Sequence, residues 1–400
     1  MAAISHKWLG INWEISAASG WGIMAFNIAL QAERDARLLP MPFFPVANPD
    51  WAPPGSRQLL ANIIARERVG SGIRESEVGQ PRHCPFPVLH ALGNRLSSHD
   101  AAQRIVGNIN VGATFFDETD LGAEAANTAK RFDLLLAGST WNTDFLRQRG
   151  IANVRTWLQG VDLSIFRPSA PPRDQNGAFV VFSGGKLEYR KGQDIVIAAF
   201  RKFRARHSDA ILLAAWHNHW PQSIQGMDCK GHVDGLPVAS ADGQLDIVAW
   251  LDRNGIAREA CCSLGAAPNH VMAGIYSQAD VAVFTNRCEG GTNLVAMECM
   301  ASGLPTILSA NSGHLDLLDQ AHCYPLHKQG PVAPLPPIVI GTEHWGESDV
   351  DEVVEALERV YRDRAEAKLK GMAAANFMRD WSWERRYQEF LGHLATLGSA

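Results

Sequence analysis

One stretch of the chain, residues 289–305, most constrains what the sequence can fold into. It has the sequence EGGTNLVAMECMASGLP and follows an apolar run at 280–286, whose β-branched and aromatic residues are typical of a buried strand. Two consecutive glycines permit a sharp turn, Thr292 or Asn293 can cap a helix, and Gly-Leu-Pro can end it. The stretch therefore predicts a strand, a glycine turn and a helix, as in an α/β domain.

The N-terminus of the predicted helix is suited to an anion, because its first backbone N–H groups lack partners within the helix and the helix dipole is positive there. Two carboxylates flank it, Glu289 before the turn and Glu298 within the helix. Beside a phosphate, carboxylates are useful as acceptors of hydrogen bonds from sugar hydroxyls. The pattern indicates a nucleotide-sugar site. The alternative is a capped turn with two solvated glutamates.

A second turn carries the positive charge that a diphosphate needs. Residues 178–183 are predicted to form a strand, and the turn after it crowds Lys186, Arg190 and Lys191 before a helix. Lysine acts on a phosphate as a mobile point charge. The alternative is a basic turn that only faces solvent.

These two turns resemble the donor site of retaining, glycogen-synthase-like glycosyltransferases of the GT-B fold, known as family 4 or group 1. That family's signature has two glutamates with seven residues between them, whereas eight separate Glu289 from Glu298. We expect the extra residue to enlarge the glycine loop and to leave the helix in place. The family also has Gly-Arg-Leu followed by Lys-Gly. Here Lys186 replaces the arginine, and Lys191-Gly192 matches.

The resemblance implies roles for particular residues. Glu298 would hold the ribose hydroxyls, while Lys191 and Glu289 would act on the leaving group and the sugar. The residues predicted to bind the donor are Gly20, Gly22, Gly185, Lys186, Lys191, Gly290, Gly291, Thr292, Asn293, Leu294, Val295 and Glu298. Many relatives carry a histidine in the first domain, but the corresponding segment TFFDETD has none. We take Asp117 as the third catalytic candidate, with helix capping as its alternative.

The alternation of strands and helices predicts two doubly wound, Rossmann-like α/β domains, which in the GT-B fold face one another across a cleft. The first would contain residues 1–167 on the acceptor side, together with the C-terminal helix 380–400. The second, residues 178–379, would bind the donor. Residues 157–168 resemble the family's Gly-Val-Asp…Phe-x-Pro passage out of the first domain, and 168–177 have the composition of a linker.

Other segments of the first domain are less specific. A strand at 8–13, a glycine turn and a helix at 24–31 are a usual start for an α/β domain. Six prolines between residues 40 and 56 exclude a regular helix or a central strand. Residues 57–69 predict an amphipathic helix with basic ends. We favour a packed surface helix, with contact to a membrane surface as the alternative.

Composition excludes several classes of protein. The chain of 400 residues has a net charge of -5, which gives no case for nucleic acid. It has neither a long apolar run nor a signal-like start, and its seven cysteines predict reduced thiols in a cytoplasmic protein, with membrane association open. His217, His219, Cys229, His232, Cys261 and Cys262 invite a zinc site. Their spacing fits none, and we predict no metal.

The sequence thus predicts a retaining, metal-independent hexosyltransferase. It would use a UDP- or GDP-sugar as substrate, require no cofactor, and transfer the sugar to a saccharide, lipid or peptide acceptor. Two alternatives remain. One is a silent binding or scaffold protein of the same fold, favoured by the enlarged loop and the missing histidine. The other is a nucleotide-sugar epimerase.

Overall fold

The computed structural model describes residues 8–76, 79–169, 177–218, 221–241 and 243–398. The described chain divides into two compact units. The first contains the residues up to Gly160, Pro268–His270 and those from Trp381 onward, and the second contains Val161–Ala267 and Val271–Asp380. The predicted division differs at Pro268–His270, which were assigned to the second domain but belong to the first unit, and at residues 161–167 and 380, which were assigned to the first domain. The latter belong to the second unit, where the buried Phe166 ring lies 5.9 Å from that of Tyr276.

The first unit contains ten strands and six helices among its described residues. Its strands are β1 Trp8–Asn12, β2 Ile15–Ser16, β3 Leu39–Pro42, β4 Val46–Ala47, β5 Arg82–Cys84, β6 Val88–Leu92, β7 Ile105–Gly107, β8 Asn110–Thr114, β9 Leu134–Ala137 and β10 Val154–Thr156. Its helices are α1 Gly20–Asp35, α2 Arg57–Glu75, α3 Asp100–Gln103, α4 Ala125–Ala129, α5 Thr140–Gln148 and α12 Trp383–Leu397.

Six of these strands form a parallel sheet in the order β10-β9-β8-β6-β1-β3. The proline-rich segment contributes the edge strand β3, where Pro40 and Pro42 lie beside Leu9 and Ile11 of β1. Proline is tolerated at an edge because its missing N–H breaks no second ladder. Sequence analysis named no strand at β6, whose short VLHAL run includes the buried His90.

Helix α2 packs closely on β3. A Cβ at Gly70 would come within 1.9 Å of the Pro42 carbonyl oxygen, so only glycine permits this approach. Leu60 and Ile63 are buried on the same helix. These contacts agree with a packed surface helix, which runs six residues beyond the predicted end at Val69.

The C-terminal helix α12 belongs to the first unit. The buried indole of Trp157 donates to the Arg386 carbonyl oxygen at 2.8 Å, and its ring lies 5.5 Å from that of Phe390. The helix begins directly over Gly160, where a Cβ would lie 2.8 Å from the Trp383 backbone nitrogen. Gly160 therefore permits the docking of α12.

The second unit contains eight strands and six helices among its described residues. Its strands are β11 Phe179–Gly185, β12 Ala210–Trp216, β13 Cys261–Ser263, β14 Val281–Phe284, β15 Thr306–Ser309, β16 Tyr324–Leu326, β17 Gln329–Pro331 and β18 Gly346–Ser348. Its helices are α6 Gln193–Arg204, α7 Ile247–Arg253, α8 Met272–Tyr276, α9 Leu294–Ala301, α10 Val350–Arg362 and α11 Arg364–Met378.

Its main sheet is parallel, in the order β13-β12-β11-β14-β15-β16. The order reverses between β11 and β14, and at such a point parallel α/β sheets form a crevice at the carboxyl ends of their strands. The core lies between the sheet and its helices, and Ile195, Ala199 and Phe203 of α6 are buried there. None of the helices within the described residues is both long and apolar enough to cross a membrane.

Replacing Gly160 by alanine should destabilise the first unit by about 2 kcal/mol, because the added methyl group collides with the backbone of α12. Gly392 lies within the same helix and has no atom within 4 Å of an added Cβ, so Gly392→Ala should stabilise it by about 0.5–1 kcal/mol. Urea unfolding of both variants measures the difference. Equal stabilities would contradict the docking contact.

Candidate functional site

The loops after β11 and β14 are joined backbone to backbone at the point where strand order reverses. Gly192 has a φ of +69°, and a Cβ there would lie 2.1 Å from the Thr285 carbonyl oxygen. The Thr285 hydroxyl donates to the Gly192 carbonyl oxygen at 2.6 Å. The Arg287 amide donates to the Arg190 carbonyl oxygen at 2.7 Å. The basic turn and the glutamate turn therefore form one structure.

Three cations and two carboxylates are brought together there. The Lys191 ammonium pairs with Glu289 Oε1, and Arg190 Nη1 lies 3.4 Å from the same oxygen. Arg190 Nη2 lies 2.9 Å from Glu188, and Lys186 Nζ lies 3.8 Å from it. Three positive and two negative charges leave an excess of one positive charge. The predicted Lys186 and Lys191 are thus joined by Arg190, which was not among the predicted donor residues.

Glu289 is held by the protein itself. Its side chain is buried and accepts hydrogen bonds from Lys191 and from the Asn286 amide. Burial alone would raise the pKa of Glu289, but the charges of Lys191 and Arg190 lower it to about 2. The carboxylate is therefore ionised at neutral pH and compensated by cations. Its predicted contact with the sugar stays a prediction.

Helix α9 begins where the sequence predicts, and Asn293 rather than Thr292 caps it. Asn293 has a φ of 65°, in the left-handed region, and its side-chain oxygen accepts from the Ala296 amide at 3.4 Å. Thr292 donates its hydroxyl to the Met297 sulfur at 3.0 Å. The helix ends at Ala301, just before the predicted Gly-Leu-Pro. The enlarged loop thus leaves Glu298 within the helix, as expected.

A third loop, after β15, supports the glycine turn. The Ser312 hydroxyl accepts from the Glu289 amide at 2.8 Å, and the Gly313 amide donates to the Glu289 carbonyl oxygen at 2.9 Å. A Cβ at Gly313 would lie 1.7 Å from the Gly291 carbonyl oxygen. Sequence analysis gave this loop no role. Its signal was a glycine in the segment SANSGH, which begins at the last residue of β15.

Glu298 is fixed by a residue that sequence analysis also missed. The Tyr276 hydroxyl donates to Glu298 Oε2 at 2.7 Å, and both side chains are buried. Burial and the neighbouring Glu298 raise the pKa of Tyr276, so the phenol keeps its proton. One carboxylate oxygen of Glu298 thus has a defined orientation.

A buried arginine, Arg287, holds the turn that contains Glu289. Arg287 makes two hydrogen bonds to the Asp194 carboxylate, at 2.9 and 2.6 Å, and a third to Glu347 at 2.9 Å. Neither Arg287 nor Asp194 is exposed, and the guanidinium carbon lies 4.2 Å from the Tyr189 ring centroid. The planar fork of arginine suits such two-point contacts, and they tie this turn to the start of α6.

The remaining residues predicted to bind the donor divide between the two units. In the second unit Gly185 is the last residue of β11 and has a φ of +119°, Gly290 and Gly291 are buried, and Leu294 and Val295 are half-buried at the start of α9. In the first unit Gly20 and Gly22 open α1. The Gly22 amide donates to the Ser19 hydroxyl oxygen at 3.1 Å.

Asp117 lies in the loop after β8 of the first unit. Its amide and that of Glu118 both donate to the Asn94 side-chain oxygen, at 3.0 and 3.2 Å. The next helix, α4, begins only at Ala125 and follows Glu124, so the helix-capping alternative for Asp117 is wrong. Its catalytic role stays a prediction.

The described residues contain no group of three or more histidine, cysteine or acidic side chains placed to hold a metal ion. His219, one of the residues considered for zinc, lies outside them. None of the seven cysteines forms a disulfide bond. The site described above therefore consists of cations, carboxylates and a helix N-terminus.

Comparison with solved structures decides the fold. Sucrose-phosphate synthase from Thermosynechococcus elongatus superposes with a TM-score of 0.63 at 14% identity, covering 98% of this chain and 99% of the other. Anabaena HepE, solved with UDP and glucose, gives 0.63 at 16% with the same coverage. A glycosyltransferase from Rickettsia africae gives 0.58 at 10%, again over 98% and 99%. The chain has the GT-B fold.

A family model supports the resemblance within the second unit. Residues 267–390 match the model described as a family 4 glycosyltransferase in conflict systems. This segment contains both glutamates, the glycine turn, α9 and the loop after β15. No curated protein matches the chain. The glycosyltransferase resemblance inferred from the two turns is thus confirmed for the GT-B fold and for this segment.

Stability should fall as the pH decreases from about 6.5 to 5, because burial lowers the pKa of both His314 and His90 to about 4. In this range the unfolded chain takes up protons at ordinary histidines while the folded chain does not, so acid favours unfolding. Each histidine contributes a slope of about 1.4 kcal/mol per pH unit.

Urea unfolding at several pH values measures this slope. The variant His314→Gln keeps His90, and its slope of unfolding free energy against pH should be smaller by about 1.4 kcal/mol per pH unit. An unchanged slope in that variant would show that His314 titrates normally in the folded protein.

Proposed function

We propose that this protein is a retaining glycosyltransferase that transfers a hexose from a nucleoside-diphosphate sugar to a hydroxyl-bearing acceptor. The observation that carries the proposal is the convergence of three features at the strand-order reversal of the second unit. These are the N-terminus of α9, the cations of the basic turn, and Glu298 with one oxygen fixed by Tyr276. Together they match the phosphate and hydroxyl groups of a nucleotide sugar.

The leaving diphosphate would be stabilised by charge alone. Lys186, Arg190 and Lys191 would supply cations, and the first amides of α9 would supply fixed dipoles. Preorganised charge of this kind stabilises a departing anion without reorganisation during the reaction. We infer that no metal ion takes part, because the protein's own cations provide the compensation that a divalent ion supplies elsewhere.

Lys191 has a particular place in this scheme. Its ammonium pairs with Glu289, which is also held by Arg190 and Asn286. An incoming diphosphate would share Lys191 with Glu289, while Arg190 and Asn286 keep the carboxylate compensated. Lysine suits this sharing because its three N–H donors can face different acceptors. The donor phosphate would then assist front-face attack by the acceptor, as in the resembled family.

A uridine donor is the preferred proposal. HepE, which has the same fold, is described in complexes with UDP and with UDP-glucose. Glu298 would accept hydrogen bonds from the ribose hydroxyls, which are common to UDP and GDP. We propose a UDP-sugar first and a GDP-sugar second. The acceptor is a hydroxyl compound, proposed as a saccharide, lipid or peptide.

A thermal-shift screen of UDP-, GDP- and ADP-sugars should show stabilisation by one of them, with UDP-sugars expected. A ligand at ten times its dissociation constant stabilises the folded state by about 1.4 kcal/mol, which such a screen detects. Glu298→Gln should abolish most of the shift, since a neutral amide is a weaker acceptor for ribose hydroxyls. Glu358→Gln is the matched control, because Glu358 is a buried glutamate of the same unit that pairs with Arg206 and Arg362, outside the proposed contacts.

Stabilisation of the wild type that persists undiminished in Glu298→Gln would remove Glu298 from the site. If none of the nucleotide sugars stabilises the wild type, the donor-binding proposal itself fails.

Lys191→Met should slow sugar transfer, because the leaving diphosphate loses a direct cation. The expected loss of transition-state stabilisation is about 3 kcal/mol. The matched control is Lys202→Met, which removes an exposed lysine from the same unit. Lys202 pairs with Asp351 at 2.7 Å, outside the proposed site. Transfer or donor hydrolysis, followed by the release of nucleoside diphosphate, measures both variants with EDTA present.

Wild-type turnover in Lys191→Met would exclude the proposed role. Activity that EDTA abolishes and a divalent ion restores would overturn the metal-free mechanism. Donor binding without any release of diphosphate would favour the binding-protein alternative, and conversion of the bound sugar without free nucleotide would favour an epimerase.

A further inference from the structure

A buried chain of hydrogen bonds runs behind the start of α9. Asn293, which caps this helix, is a non-glycine residue in the left-handed region, and such a conformation persists only where its surroundings fix it. The two ends of its amide face different partners. The oxygen accepts from the Ala296 amide at 3.4 Å, and the nitrogen lies 3.0 Å from His314 Nε2. His314 is entirely buried and Asn293 is 5% exposed.

The donor and acceptor at each link follow from counting protons. The Ser309 hydroxyl oxygen lies 2.7 Å from the Asn286 carbonyl oxygen, and a carbonyl only accepts, so Ser309 donates its single proton there. His314 Nδ1 lies 3.0 Å from the same hydroxyl oxygen and 3.3 Å from the Ser309 carbonyl oxygen. With the hydroxyl proton already placed, His314 Nδ1 must be the donor.

The rest of the chain is then determined. A neutral imidazole with its proton on Nδ1 has an unprotonated Nε2, which accepts from the Asn293 amide nitrogen. That contact directs the Asn293 oxygen toward the Ala296 amide, where it caps α9. This series of hydrogen bonds starts at Asn286 after β14, passes through Ser309 at the end of β15, and ends at the first turn of α9.

We propose that His314 is a positioning residue of the donor site, whose Nδ1-protonated tautomer fixes the capping amide of Asn293 and thereby the helix end that receives the diphosphate. This inference rests on the proposed function. With the opposite tautomer, or with both nitrogens protonated, two N–H groups would oppose one another at Asn293. The amide would rotate, present its NH₂ group to the Ala296 amide, and lose the cap.

The surroundings keep the imidazole neutral. Ionised Glu289 and Lys191 are the charged groups that face His314, and they act in opposite directions on it. Burial, the larger cause, acts in the same direction as Lys191 and outweighs Glu289, so the pKa of His314 is lowered to about 4. At neutral pH the ring therefore has a single proton, as the hydrogen-bond pattern requires.

Nitrogen-15 NMR of the histidine side chains tests the tautomer directly, with the His314 signals assigned by their loss in His314→Gln. At pH 7.5 we expect a protonated Nδ1 and an unprotonated Nε2. A proton on Nε2 would overturn the inference. This measurement needs no ligand, so it decides whether the chain of hydrogen bonds exists even if the proposed function fails.

Calorimetric titration with UDP tests the consequence for binding. His314→Leu removes both links and should raise the dissociation constant about tenfold, the effect of losing a helix cap at the binding site. His314→Gln can place an amide oxygen near the position of Nε2, and it should recover most of the affinity. His322→Leu is the matched control, because His322 is a buried histidine of the same unit that bonds to the Leu317 carbonyl oxygen and should leave UDP affinity unchanged.

Each outcome separates the two claims. UDP binding by the wild type that is unchanged in a folded His314→Leu overturns the positioning role and leaves the proposed function intact. If His314→Leu does not fold, Ser309→Ala replaces it. That change leaves His314 Nδ1 with only the 3.3 Å contact to the Ser309 carbonyl oxygen, and it should also weaken UDP binding, by a smaller factor. If the wild type binds none of UDP, GDP and ADP, the proposed function fails, and the tautomer alone decides this inference.

Discussion

The candidate site depends on the close backbone contact between Gly192 and Thr285. These residues follow β11 and β14, the strands between which the order of the sheet reverses. At such a point the connecting helices lie on opposite faces, so the two loops would diverge unless something joined them. The missing side chain of Gly192 permits the contact, and the hydroxyl of Thr285 closes it at 2.6 Å. Lys191 and Glu289 are held within reach of each other for this reason.

The buried charges of the site are stable only because each is compensated by an opposite charge. Glu289 would be strongly destabilised by burial without its cations, and Lys191 and Arg190 are what keep it ionised. Arg287 and Asp194, neither of them exposed, solve the same problem by pairing with each other. The site therefore keeps its surplus positive charge at the surface of the crevice, on Lys186 and Arg190, while the buried charges are balanced. An anion gains most where positive charge is already assembled and partly dehydrated.

The sequence predicted those parts of the structure that local chemistry determines. Strand, glycine turn, helix cap and helix end at 280–305 follow from residue types at fixed spacing, and each lies where expected. The basic turn after β11 was predicted from residue types at fixed spacing in the same way. Tyr276, Ser309 and His314 could not be found in this way, because their partners Glu298, Asn286 and Asn293 are set by the packing of α8 and β15. The β6 strand was missed because five residues give too short a pattern.

The additional residue between the two glutamates shows how the chain accommodates a departure from the family signature. A longer loop has more conformations to lose, so without support it would hold the helix end less firmly. Here the loop after β15 supplies that support through Ser312, Gly313 and His314. Each contacts the turn at a different place: at the Glu289 amide, at the Gly291 carbonyl oxygen and at the Asn293 side chain. A substitution at Gly313 would displace the turn directly, since its neighbour there is backbone that cannot rotate away. The insertion and the loop after β15 therefore act as a single unit, and a change in one requires a compensating change in the other.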